Sequence, residues 1–180
     1  MEILEECTEK MTKAIASYKS TLGTIRTGSV SPLVLDKITI NYYGEETPIK
    51  NVASITVPSA LQMIVKPFDP GSLKLIVGAI GDSDLGINPI VDGVQIRLNF
   101  PPLSGDRRAE LCKLAKKYAE DAKVAIRNIR RDMNESVKKD KTLSKDLAQD
   151  MMSDIQKETD KHIKLIEDIL AAKEKDINII

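Results

Sequence analysis

The chain has 180 residues, no tryptophan, 3% aromatic residues and a formal net charge of +0 at pH 7. This length allows one domain or two small ones. With so few aromatic rings, modules that stack bases on exposed rings, such as RRM and OB domains, are not indicated. No segment approaches the ~20 apolar residues of a membrane span, and acids occupy the start, where a secretory signal is basic. We therefore expect a soluble, cytoplasmic protein without membrane contact.

Sequence signatures of catalysis are missing. Glycine spacing matches neither a phosphate-binding loop nor a dinucleotide fingerprint, and no G-x-S-x-G or H-E-x-x-H motif occurs. Cys7 and Cys112 lie far apart without a C-x-x-C pattern, which predicts buried free thiols in a reducing compartment. The only histidine, His162, fits a packing residue better than a ligand. We expect no enzymatic activity, no cofactor and no metal site.

The first predicted element is a helix over residues 2–27, where apolar residues recur every three or four positions. Gly28 is the predicted stop, and Pro32 cannot continue a helix. Arg26 falls in the last turn. Two roles remain open for it, either complementing the negative end of the helix dipole or contacting an anion at a domain corner.

A β-rich segment follows over about residues 30–103, where β-branched residues and Pro/Gly punctuation replace the helical spacing. Tyr42-Tyr43-Gly44 predicts a turn, and the alternation of Val94, Ile96 and Leu98 predicts a half-buried strand. The predicted strands are 33–40, 47–57, 61–65 and 94–98, and the predicted short helix is 72–80, with Asp69 or Ser72 as its cap.

The next element, residues 106–141, is a predicted helix with two distinct faces, capped by Ser104 and ending near Lys139. Glu120 is the only acid among the cations of its polar face. At 100° per residue, the apolar stripe is Leu111, Leu114, Tyr118, Ala122, Ala125, Ile129 and Met133, and the cations opposite it are Lys113, Lys116, Lys123, Arg127, Arg130, Arg131 and Lys138.

Positive charge is concentrated in this helix. Residues 106–141 carry 12 basic and 7 acidic side chains, whereas residues 142–180 carry 6 and 9. Surface helices that serve stability alone usually mix both signs, so the cationic face favours contact with RNA or another polyanion. A solvated lysine-rich face without a ligand is the simpler alternative.

A last helix begins at Ser144 or Asp146 and keeps heptad-like apolar spacing. We expect the three long helices to pack as a bundle of residues 1–29 and 105–180, with residues 30–104 inserted as a second domain. Pro and Gly mark both chain crossings between the two. These residues either form a hinge or only cap helices: Gly28, Pro32, Pro101, Pro102 and Gly105.

Four stretches in register make the sequence resemble the ribosome recycling factor family over its whole length. The sequence departs from the common bacterial pattern at Ser29-Val30, where Arg-Ala is frequent. The stretches are Ile25-Arg26-Thr27-Gly28 with Ser31-Pro32; Tyr42-Tyr43-Gly44 with Thr47-Pro48; Ser83-Asp84-Leu85-Gly86-Ile87-Asn88-Pro89 with Ile96-Arg97 and Pro101-Pro102-Leu103; and Arg107-Arg108 with Arg127-Asn128-Ile129-Arg130-Arg131-Asp132.

The resemblance implies an L-shaped α+β monomer, with a three-helix bundle and an inserted β/α/β domain. It implies binding to rRNA of the large ribosomal subunit and splitting of the post-termination ribosome together with the GTPase elongation factor G. A helical RNA-binding or adaptor protein without a recycling role is the alternative. Matched residue by residue, the resemblance points to rRNA contacts at Arg26, Lys116, Lys123, Arg127, Arg130 and Arg131.

Overall fold

The computed structural model describes residues 2–179. Met1 and Ile180, the ends of the predicted bundle, lie outside the described residues. A β-rich segment is preceded along the chain by the long helix α1 (Glu2–Gly23) and followed by the long helices α4 (Gly105–Lys139) and α5 (Lys145–Ile177). The predicted α+β class is confirmed. None of the helices within residues 2–179 combines the length and apolarity that crossing a membrane requires.

The β-rich segment contains two antiparallel sheets. A two-stranded sheet pairs β1 with β2, and a four-stranded sheet has the order β3-β4-β6-β5. The strands are β1 (Thr39–Tyr42), β2 (Glu45–Pro48), β3 (Ala53–Ser59), β4 (Gln62–Pro67), β5 (Ile90–Asp92) and β6 (Gln95–Asn99), and the helices between them are α2 (Ile49–Val52) and α3 (Leu73–Gly81).

The core of this segment forms where β4 pairs with β6. Met63 lies opposite Leu98 and Val65 lies opposite Ile96, and all four side chains are fully buried. Alternate residues of a strand point to one face, so this register brings the apolar residues of both strands together. Ile76 of α3 packs into the same cluster.

The end of α1 differs from the prediction, because the helix stops at Gly23 rather than near Gly28. A Cβ atom at Gly23 would lie 3.2 Å from Cδ1 of Leu33, so the missing side chain makes room for that leucine. Glycine also weakens a helix by about 1 kcal/mol relative to alanine. Residues 24–28 therefore form irregular chain, and Arg26 is not part of a helical turn.

Two predicted strands are interrupted by helical turns. Pro32–Leu35 is a short 3₁₀ helix whose start is capped by the Ser31 hydroxyl, which accepts a hydrogen bond from Leu33 N. The predicted strand 47–57 is broken by α2, which follows directly after Pro48. Pro32 is the first residue of the 3₁₀ helix, where its fixed φ suits a helix start, and Pro48 is the N-cap of α2.

The strand predicted at 94–98 starts one residue later, and Val94 is 58% exposed. Val94 follows Gly93, whose positive φ of 63° forms the turn of a hairpin. The partner strand β5 was not predicted. Its signal is Gly93: Asp92 pairs with Gln95, so Gly93 is the first of the two turn residues, the position that glycine takes in a type II′ hairpin turn.

The chain forms two compact units. One contains the chain up to Leu22 together with Cys112–Lys175, and the other contains Gly23–Leu111 together with the chain from Asp176. In the first unit α1, α4 and α5 bury apolar residues such as Met11, Ile126 and Ile166 in one helical core.

Candidate nucleic-acid interface

Helix α4 begins and ends where the sequence predicts. Ser104 Oγ accepts a hydrogen bond from Arg107 N at 3.1 Å, which satisfies one of the free amides of the first turn. Residues 140–144 turn the chain, and Ser144 Oγ accepts from Leu147 N at 3.2 Å to cap α5. The two helices are thus joined by a short connection and run as a hairpin.

The buried face of α4 coincides with the predicted stripe only in part, since three of the seven predicted residues are buried. Leu114, Tyr118, Ala125 and Ile129 are only half-buried. At 100° per residue, the buried face is rotated by roughly 50–60° from the predicted stripe. Within α4 the buried residues are Leu111, Ala115, Ala119, Ala122, Ile126, Met133 and Val137.

This rotation divides the predicted cations into two rows. Arg130, Lys123 and Lys116 lie about 40–80° from the direction of Ile126 and form the inner row beside the buried face. The remaining cations lie about 100–140° away, and all of them are exposed. The outer row consists of Arg127, Lys138, Lys113 and Arg131.

Each inner-row cation contacts a side chain of α5. Lys123 Nζ lies 3.3 Å from Glu167 Oε1 and 3.4 Å from Glu120 Oε1, and its side chain is only 14% exposed. Lys116 Nζ lies 3.6 Å from Glu174 Oε1. The prediction that Arg130 points away from the core is wrong, because Arg130 lies only about 40° around the helix from the buried Ile126.

Arg130 is half-buried and donates a hydrogen bond from Nη1 to Gln156 Oε1 at 3.1 Å. This bond is made to a neutral amide, so the positive charge of Arg130 has no carboxylate counter-ion among the contacts of residues 2–179. The guanidinium keeps further N–H groups for an anion.

The outer row makes no ion pair with any residue the structure describes. Lys113 and Arg131 are 18 residues apart, which corresponds to about 27 Å along the helix. Arg127 and Arg131 are about one turn apart on the same side of the helix, and both are exposed. Guanidinium forks match phosphate oxygens in a bidentate fashion, so this row can hold successive phosphates of a nucleic-acid strand.

Arg26 belongs to the other compact unit and has a local role. Its guanidinium donates to the carbonyl oxygen of Pro101 and lies 5.2 Å from the centre of the Phe100 ring. Burial lowers the Arg26 pKa, and the nearby charge of Arg107 lowers it further. The structure thus adds a third role to the two left open by the sequence: Arg26 ties the chain before the β-rich segment to the chain after it.

The five predicted hinge residues all lie in the second unit. Gly28 N donates to Asp176 O at 3.3 Å, and a Cβ atom at Gly28 would stand only 2.6 Å from Ile179 O. Pro32 opens the 3₁₀ helix, and Gly105 is the first residue of α4. Pro101 and Pro102 are exposed in the irregular chain before α4.

The buried titratable groups of the first unit serve packing. His162 is buried, and its Nδ1 lies 2.7 Å from the carbonyl oxygen of Glu158. Burial and the charge of Glu158 raise the pKa of the Cys7 thiol, which keeps it protonated. Within residues 2–179 no group of three or more His, Cys, Asp or Glu residues is arranged to hold a metal ion.

Sequence reasoning missed the α5 partners of the inner row. Gln156, Glu167 and Glu174 are spaced 11 and 7 residues apart, which places them within about 20° of one another on a helix. That spacing was visible in the sequence. It becomes meaningful only once α5 is known to lie against the cationic side of α4.

The match to known proteins covers nearly the whole chain. A sequence profile described as "Ribosome recycling factor" matches residues 18–177. The chain belongs to the ribosome recycling factor family. It is 49% identical over 176 residues to a ribosome-recycling factor of Prochlorococcus marinus, covering 96% of this chain and 97% of the relative. The Bacillus licheniformis factor is 45% identical over 179 residues, with coverages of 98% and 97%.

Solved structures give the same result. A solution structure of the ribosome recycling factor matches with a TM-score of 0.77 and 36% identity, over 98% of this chain and 95% of that chain. A second match, with a TM-score of 0.68, 36% identity and coverages of 98% and 97%, is the T. thermophilus ribosome recycling factor, described with E. coli elongation factor G on the E. coli post-termination complex. Family membership makes the chain a ribosome-associated translation factor and not an enzyme.

Proposed function

We propose that this chain recycles ribosomes after translation termination. It binds the large ribosomal subunit through α4 and, together with elongation factor G, splits the post-termination complex into subunits in the cytoplasm. The observation that carries the proposal is the outer row of α4, an exposed line of cations that makes no ion pair within residues 2–179, in a member of this family. A structural relative is described on the post-termination complex with elongation factor G, which supports the same partners.

The contacts proposed for rRNA extend over both rows and Arg26. Arg127 and Arg131 are the strongest candidates, because both are exposed and neither is held in an ion pair by the part of the chain that the structure describes. Arg130 exchanges only a neutral hydrogen bond. To reach a phosphate, Lys116 and Lys123 must break an ion pair with a carboxylate, and Arg26 must break its contacts with Phe100 and Pro101. We therefore expect these three residues to contribute less to the affinity for rRNA.

The energy for splitting comes, in this proposal, from GTP hydrolysis by the partner, since the sequence contains no nucleotide-binding motif. The functional division is a bundle of residues 1–29 and 105–180 that anchors on rRNA, and a domain of residues 30–104 that moves. The chain bends at Gly28, Pro32, Pro101, Pro102 and Gly105. Support comes from the position of these residues on both sides of the inserted segment.

Light scattering of post-termination ribosomes with elongation factor G and GTP tests the recycling function. Addition of the protein should produce a loss of scattering as 70S particles separate, and no loss should occur without the GTPase. A cross-link that fixes the moving domain to the bundle tests the hinge. The cross-linked protein should bind the large subunit and fail to release subunits, whereas release at the unmodified rate would eliminate the hinge.

A further inference from the structure

We propose that Glu167 and Glu174 of α5 limit the affinity of the cationic face for RNA by holding Lys123 and Lys116 in ion pairs within the bundle. The inference rests on the proposed function and concerns the same face. It makes the two glutamates positioning residues that set how many cations of α4 are available to phosphates.

The geometry places both glutamates against the inner row. Glu167 Oε1 lies 3.3 Å from Lys123 Nζ, and Glu174 Oε1 lies 3.6 Å from Lys116 Nζ. Lys123 is held more firmly, since Glu120 of its own helix also contacts it at 3.4 Å and little of the side chain reaches solvent. In the outer row, by contrast, no carboxylate of the described chain contacts a cation.

A lysine that is paired with a carboxylate binds a phosphate less favourably than a free lysine does. A free lysine neutralises the phosphate and releases a counter-ion condensed on the RNA, which strengthens binding at low salt. A paired lysine must first leave its glutamate, and the glutamate then stands beside the phosphate with the same sign of charge. Contacts by the inner row therefore contribute less to RNA affinity than contacts by the outer row.

The test replaces both glutamates by glutamine and measures binding of the complete protein to large ribosomal subunits across a salt series. In the Glu167→Gln/Glu174→Gln variant the charge of Lys116 becomes available, and Lys123 keeps only its contact with Glu120 of the same helix. Binding should tighten at low salt, and the slope of log K against log salt should steepen by about 0.7–0.9 for each released lysine that meets a phosphate. A destabilised fold cannot produce a gain in affinity, so this readout separates the proposal from a purely structural role.

A matched control carries the same change in net charge on the same helix. Asp154 Oδ1 lies 2.8 Å from Lys157 Nζ, and Asp150 acts electrostatically on the same lysine. Both aspartates lie roughly 120–160° around α5 from Ile166, far from the glutamate side. The Asp150→Asn/Asp154→Asn variant should change affinity slightly through net charge and should leave the slope unchanged.

The outcomes separate this inference from the proposed function. If the wild-type protein shows no salt-dependent binding to the large subunit, the proposed function is wrong. If the wild type binds and the glutamine variant has the slope of the aspartate control, only the inference is wrong. Should the double variant unfold, Glu174→Gln alone decides, because an ion pair as exposed as Lys116–Glu174 contributes little to stability. An unchanged slope for that variant overturns the proposal.

Discussion

The guanidinium carbon of Arg26 lies 5.2 Å from the centre of the Phe100 ring, and the same guanidinium donates to the carbonyl oxygen of Pro101. These contacts join two segments that are 75 positions apart in the chain and that border the β-rich segment on both sides. Arg26, which the sequence predicts as an rRNA contact, therefore also links two segments of the second unit.

The first prediction concerns the contribution of Arg26 to stability. Arg26→Ala removes the cation–π contact and a hydrogen bond from a charged donor, so the free energy of unfolding should fall by about 1–3 kcal/mol. Urea unfolding measures it. Arg107→Ala is the control, since its exposed pair with Glu110, at 2.8 Å, contributes at most about 0.5 kcal/mol. Equal losses of unfolding free energy in the two variants would mean that the contacts of Arg26 with Phe100 and Pro101 do not stabilise the fold.

A second prediction concerns the core of α4. Ile126 is fully buried, so Ile126→Ala should lower the free energy of unfolding by about 2–5 kcal/mol. Ile129→Ala should cost clearly less, because Ile129 is half-buried. Val124→Ala, at an exposed position of the same helix, should change stability by at most about 0.5 kcal/mol. If Ile129→Ala proves the most damaging of the three, the buried face has been assigned wrongly.

The third prediction concerns alkaline pH. Burial of Tyr18, and to a smaller extent the charge of Glu174, raises the Tyr18 pKa to about 12. The unfolded phenol ionises near pH 10, so the folded state holds the proton more tightly. The resulting stabilisation is complete below about pH 10 and is lost as the pH rises to about 12, an effect of roughly 2–3 kcal/mol.

Tyr18→Phe isolates this effect, because it removes the titrating group from a side chain that is only 4% exposed. The difference in unfolding free energy between wild type and variant should shift in favour of the variant between pH 9 and pH 12. Near pH 7 the substitution should be nearly neutral, since the Tyr18 hydroxyl has no hydrogen-bond partner in the described chain. If the unfolding free energies of wild type and Tyr18→Phe depend on pH in the same way, Tyr18 is not the titrating group. Tyr118→Phe serves as the comparison.

The sequence predicted the elements that have strong local signals. Ser104 and Ser144 mark the starts of α4 and α5 because a side-chain oxygen at the N-cap replaces a missing amide partner. The long amphipathic patterns fixed the three helices of the bundle. The end of α1 was not predicted in this way, because the helical spacing of apolar residues continues to Ile25, whereas the helix stops at Gly23.

The orientation of α4 was predicted less well, for a physical reason. In a bundle of three helices each helix meets two others, so its apolar sector is wide and its centre depends on both neighbours. Large side chains such as Leu114 and Tyr118 suggested one centre, whereas the alanines Ala115 and Ala119 lie at the real one. Alanine permits close helix contact but carries little weight in a hydrophobic pattern. The same shift placed Arg130 and Lys123 beside the core.

The fourth prediction concerns anion binding by the outer row. Arg127→Ala/Arg131→Ala should weaken binding to the large subunit and reduce the salt slope by about 1.4–1.8, because two phosphate contacts are lost. The melting temperature should stay nearly unchanged, since both side chains are exposed. Lys164→Ala/Lys175→Ala, which removes two exposed cations from α5, should leave the slope as in the wild type.

Anchoring through the outer row is tested most directly by subunit release from post-termination ribosomes, followed by light scattering with elongation factor G and GTP at near-physiological salt. Release should be rapid with the wild type and with Lys164→Ala/Lys175→Ala. It should be markedly slower with Arg127→Ala/Arg131→Ala and should recover when the variant concentration is raised or the salt is lowered. Release by the arginine variant at the wild-type rate, at protein concentrations that do not saturate the ribosome, would contradict anchoring through the outer row of α4.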